Sequence, residues 1–140
     1  MSQNIPDQFD WVGARSRCTP WAAMEMLRSQ VRADLDIRKA LTPEQGFPRR
    51  PLQFQEQDNW FAVVVPSPYG DVSKGVIFRQ TETGIRVSDV STRQVLYDSI
   101  LTISDDGKCR LRVGEIEFAF WQFRKLVLHD LFFVDKEETL

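Results

Sequence analysis

Apolar and polar positions recur with two different periods along this chain, and the period changes near residue 52. Before that point Met24, Leu27, Val31 and Leu35 follow at steps of three and four, which lays one apolar stripe along a helix running to about Leu41. Thr19-Pro20 marks its start, a hydroxyl to cap the free amides and a proline at the first helical position. Arg28, Arg32, Asp36 and Lys39 fall off the stripe and read as a solvated face. Residues 1–18 show no period and read as an irregular arm, with Phe9 and Trp11 available to pin it to the body. The proline- and glycine-bearing stretch from Thr42 to Pro51 ends the helix.

From Leu52 the period is two, the signature of strands. Gln53, Gln55 and Gln57 alternate with Leu52 and Phe54, and Asp58-Asn59 suits a tight turn into the strand Trp60–Val65. Pro66 to Gly75 reads as the longest loop within the sheet. Residues 76–82 and 85–90 predict a hairpin around Thr83-Gly84, with the glycine supplying a positive φ. A strand over 95–104, the turn Asp105-Asp106-Gly107 with its own left-handed glycine, a strand over 108–113, and Gly114-Glu115 leading to 116–120 complete the series. Connections this short predict a meander. One face collects Phe54, Val76, Phe78, Ile85, Val87, Leu111, Val113, Ile116 and Phe118, while the strand 95–104 offers either of its faces.

Residues 121–134 read as a terminal helix that is apolar over most of its circumference. Only Gln122, Lys125 and His129 form a coherent polar strip, with Arg124 nearly opposite and Asp130 to one side. Such a helix has to be gripped by the sheet or, in part, by another chain. The expected architecture is therefore α+β in one domain spanning 1–140: an N-terminal helix, an antiparallel meander of six or seven strands, and a C-terminal helix packed on it. A strongly curved open sheet and a half-barrel plugged by the last helix fit the pattern equally well.

Composition changes this picture little. The 140 residues carry a formal charge of −2, with 42% hydrophobic and 27% charged positions, which is ordinary globular usage. No basic excess calls for nucleic acid or a membrane surface as partner, and no apolar run is long enough to span a bilayer. The N-terminus lacks the basic start and apolar run of a secretory signal, so a cytoplasmic location is expected. On that footing Cys18 and Cys109 are expected to be reduced and at least half-buried.

Each candidate for chemistry has a plainer explanation. His129 is a lone histidine on the polar strip of the last helix and reads as solvent-facing. Asp105/Asp106 follows from turn chemistry, Glu115/Glu117 flanks a turn, and Asp34 and Asp36 lie on different sides of a helix. Glycine-rich phosphate loops, nucleophile elbows and metal-ligand clusters do not occur. Arg79, Arg86, Arg110 and Arg112 share the face opposite the apolar one, where Asp98, Glu115 and Glu117 predict cross-strand ion pairs in preference to a nucleic-acid platform.

No catalytic, cofactor-binding or metal-binding residue follows from the sequence, and no cofactor is expected. The expected function is a non-catalytic binding domain that self-associates as a homodimer and possesses a surface for another protein, with Trp121, Leu128, Phe132 and Phe133 as interface candidates. Two alternatives stay open. One is a lipid- or ligand-binding cup between sheet and last helix, lined by Phe54, Phe78, Phe118 and Trp121. The other is an enzyme with its site under the loop 66–75, where Tyr69 and Asp71 are the polar groups.

Overall fold

The computed structural model describes residues 8–41, 51–66 and 72–133. The N-terminal arm is less irregular than its sequence predicts. Asp10 accepts the Gly13 amide at 2.8 Å and caps a short helix, α1 (Trp11–Arg17). That helix buries none of its residues, so no apolar period marked it. Trp11 is exposed and Phe9 is half-buried, so only Phe9 turns inward.

The long helix α2 (Pro20–Ala40) starts as expected, with the Thr19 hydroxyl accepting the Ala22 amide at 3.2 Å. Met24, Leu27 and Val31 are fully buried and Leu35 packs against the same cluster. Arg28 departs from the expected solvated face. It is buried, and its guanidinium donates to Glu56 Oε1 at 2.9 Å and to the Asp58 carbonyl at 3.0 Å, while lying over the Phe61 ring. Periodicity cannot see such a partner, which comes from 28 residues away.

Seven strands follow in a single antiparallel sheet whose spatial order is the sequence order: β1 (Gln53–Gln57), β2 (Trp60–Pro66), β3 (Val72–Gln80), β4 (Gly84–Asp89), β5 (Val95–Ile103), β6 (Cys109–Val113) and β7 (Ile116–Phe118). The sheet is open, with β1 and the three-residue β7 at its edges. Short edges limit pairing with other chains. Helix α3 (Phe120–Phe133) closes the described chain and packs with α2 on one face of the sheet.

Register explains that face. Phe61 pairs with Phe78, Val63 with Val76, Phe78 with Val87, Ile85 with Ser99 and Leu101 with Leu111. The strand β5, whose inner face the sequence left open, thus turns Tyr97, Ser99 and Leu101 toward the helices. Ser99 is wholly buried there, and its hydroxyl donates to the Ile85 carbonyl at 2.7 Å, so the buried polar atom is satisfied. Ile116, expected on the apolar face, is 62% exposed at the edge.

Two turns test the glycine expectations. Gly107 adopts φ 83° as its turn requires. Gly84 is glycine for another reason than a positive φ: a Cβ there would stand 2.1 Å from the Ser99 carbonyl oxygen across β5. The three residues before it are closed by the Thr81 hydroxyl, which accepts the Gly84 amide at 2.9 Å.

Cys18 and Cys109 form a disulfide, with Cα atoms 5.5 Å apart, which overturns the expectation of two reduced thiols. It ties the start of α2 to the start of β6 across 91 residues. Compartment statistics gave the expectation, and they hold no information on which side chains the fold brings together.

Candidate functional site

The sequence of helix α3 demands more burial than one sheet face provides. Phe123, Val127, Leu128, Leu131 and Phe132 face the sheet and α2 and are buried. Arg124, which lies away from the polar strip as expected, bridges to α2 by donating to Asp34 at 2.7 Å and to Gln30 at 2.8 Å. On the outer side Trp121 is 58% exposed, Phe133 40% and Leu126 37%. Gln122, Lys125 and His129 are also exposed there, and His129 stands 3.2 Å from Asp130 and beside the Phe133 ring.

Two hollows flank the outer row of α3. One, of about 270 Å3, runs between α3 and the end of α2, where Ile37 is 62% exposed. The other lies between α3 and β7, against Ile116 and Phe118. Trp121, Lys125 and His129 line both. They recur at four-residue steps and form a ridge between two grooves, the geometry that helices use to interlock. All four interface candidates, Trp121, Leu128, Phe132 and Phe133, line the α2–α3 groove. Leu128 and Phe132 are its buried floor, whereas Trp121 and Phe133 are its exposed rim. Trp21, a further aromatic that could have joined this patch, is exposed on a different side of α2, roughly 160° around the helix from Ile37. Met24 is fully buried in the core.

The cup residues take other places. Phe54 stacks on Phe61 at 5.6 Å, Phe61 on Phe78 at 4.5 Å, and Phe123 meets both Phe78 and Phe118 edge to face. Phe54, Phe78 and Phe118 thus belong to one run of rings beneath the helices, while Trp121 stands on the outer side of α3. Tyr69 and Asp71 lie outside the described residues.

The opposite face of the sheet collects the arginines, as their spacing predicts. One row crosses four strands: Trp60 pairs with Arg79, Arg79 with Arg86 and Arg86 with Asp98. Arg86 makes the expected cross-strand ion pair with Asp98 at 3.1 Å. Arg110 makes a bidentate pair with Asp106 at 2.7 Å in both bonds, and that hydrogen bonding holds the Asp106 carboxyl down at about 2. Arg112 Nε is buried without a hydrogen-bond partner. Beside the row, small and apolar residues of β2 and β3, Ala62, Val64 and Ile77, floor a hollow of about 510 Å3. Sequence spacing found the arginines but missed Trp60 and Arg93 at this hollow. Trp60 was legible as the residue out of phase with Phe61. Arg93 sits in the β4–β5 turn with φ 64°, and nothing local to its sequence marks it.

Among the described residues no group of three or more His, Cys, Asp or Glu side chains is placed to hold a metal ion. No helix among them is long and apolar enough to cross a membrane. No protein-family profile, curated protein or solved structure matches this chain. Any functional reading therefore rests on these surfaces.

Proposed function

We propose that this chain is a non-catalytic binding domain that self-associates through the outer side of α3 and the α2–α3 groove. The observation that carries the reading is the exposed apolar set Trp121, Leu126 and Phe133, joined by Ile37 of α2 and Ile116 of β7. Apolar surface gathered in this way on one side of a helix marks an interaction site.

The occupant is a second copy, for two reasons. A two-fold axis sets a patch against itself, so the patch needs both a projection and a recess, and the 121–125–129 ridge lies beside its own grooves. It also needs both charges: Lys125 and Arg38 supply one sign at the rim, Glu117 the other. A cytoplasmic placement and the Cys18–Cys109 bond pull in opposite directions, since disulfides persist in oxidising compartments. Association is accordingly measured in both redox states, and the same dimer is expected in each.

The test is sedimentation of the purified chain at ~10–100 μM, a range that reveals ordinary micromolar affinity. A dimer is expected, and Phe133→Glu is expected to give a folded monomer with an unchanged far-ultraviolet spectrum. A monomer for the unmutated chain in that range would sink the reading.

A further inference from the structure

The hollow on the sheet face opposite α2 and α3 is unlike a merely solvated surface in three respects. Its lining is partly apolar, with Trp60, Ile77 and Val95 beside the buried Ala62 and Val64, so a bound group there meets apolar surface. Among the described residues its rim holds three guanidinium groups, Arg79, Arg86 and Arg93, against one carboxylate, Asp89. And Trp60 stands in the wall, directly across the strand pair from Arg79.

The charges are arranged so that they do not neutralise one another. Arg79 and Arg86 are direct cross-strand partners, and like charges so placed destabilise a sheet. Asp98 pairs with Arg86 at 3.1 Å, whereas neither Arg79 nor the Arg93 side chain has an ion-pair partner among the described residues. Asp89 is occupied elsewhere: its carboxylate accepts the Thr92 amide and the Ser91 hydroxyl, each at 2.8 Å. Burial works against that carboxylate's charge, yet these bonds outweigh it and hold the group below its usual range. The same turn places Arg93 in the left-handed region, uncommon for a residue with a Cβ.

From this geometry we infer that the hollow is a binding site for a small oxyanion, carboxylate or phosphate, carried on a flat apolar body. Arg79 and Arg93 take the oxyanion by charge-assisted hydrogen bonds, and the body lies on Ile77 and Val95 against the Trp60 ring. The volume, about 510 Å3, matches a small molecule. A single-stranded nucleic acid needs a succession of stacking rings, and Trp60 is the one aromatic residue lining this hollow among the described residues. The site is on the opposite side of the sheet from the proposed dimer surface, so either reading stands or falls without the other.

The experiment is calorimetric titration of the full chain with 2-naphthoate, 2-naphthyl phosphate, the neutral 2-naphthylmethanol and a short single-stranded DNA. Both naphthyl anions are expected to bind, and the neutral compound about tenfold more weakly or worse, which is the worth of one charge-assisted bond. The better of the two anions identifies the oxyanion. Arg79→Gln is expected to weaken both anions about tenfold. Arg110→Gln, the same change on the same face but outside the hollow, should leave them within about twofold. Because Arg79→Gln also removes a like-charge pair, it should melt no lower than the parent, which separates lost binding from lost folding. No binding of any probe at ~1 mM, equal affinity for the neutral compound, or an equal drop in both variants overturns the inference. So does tighter binding of the DNA, which would restore the nucleic-acid platform.

Discussion

The same strands build two very different faces of this sheet. Toward the helices, every second residue joins a packed core in which Phe61, Phe78 and Phe123 are wholly buried, and the buried Ser99 hydroxyl there is satisfied. On the other face, the alternate residues include Trp60, Arg79, Arg86 and Arg110, with charges set side by side and only partly neutralised. The first arrangement is what burial at ~25 cal/mol per Å2 of apolar surface favours. The second includes a like-charge pair that stability alone does not favour. The contrast teaches where to look for function: a face that stability explains completely leaves nothing over, whereas the open face and the outer side of α3 both retain groups that folding does not use.

The sharpest way to break the comparison is a pair of neighbours on β3. Phe78→Ala should cost about 3–5 kcal/mol in urea unfolding, the usual loss for an emptied aromatic site. Ile77→Ala, one residue away on the open face and only half-buried, should cost less than about 2 kcal/mol. Equal losses would mean that both faces are packed alike. Next in size is the Cys18–Cys109 bond, which clips α2 to β6 across a 91-residue span. Its reduction, or replacement of both cysteines by serine, should lower stability by about 2–4 kcal/mol, because the unfolded chain regains the freedom the loop removed. An unchanged denaturation midpoint in reductant would count against the bond.

Smaller effects sharpen the open face. The Asp106 carboxyl is held at about 2, below its ordinary 3.8, first by the hydrogen bond from Arg110. Since the folded value is the lower one, this pairing contributes fully above about pH 4 and is lost as pH falls through about 2. Asp106→Asn should therefore flatten the stability profile between pH 4 and pH 2 relative to the parent; parallel profiles would show that the pair is idle. Smallest, and opposite in sign, is Arg79→Gln, expected to raise stability by about 0.2–1 kcal/mol as its repulsion with Arg86 disappears. A loss of stability in that variant would place Arg79 among the residues that hold the sheet together.

Sequence by itself determined α2, the run of strands and α3 in their order, but not the short α1, which buries none of its residues. Thr19-Pro20, the stripe from Met24 to Leu35, the alternation from Phe54 to Phe118 and the left-handed Gly107 all act over a few residues, through hydrogen bonds and periodicities that neighbours in the chain complete. Short turns then left a meander as the natural pairing, and with it the separation of an apolar face from an arginine face. Tertiary structure decided what depends on residues far apart in the chain. It brought Cys18 to Cys109, buried Arg28 against Glu56 and the Asp58 carbonyl, tied Arg124 to Asp34, and drew Trp60 and Arg93 to one hollow. It also settled which side of α3 is covered: a helix apolar nearly all round carries no mark of where the sheet will stop, so only the placement of β6, β7 and α2 left Trp121 and Phe133 facing outward.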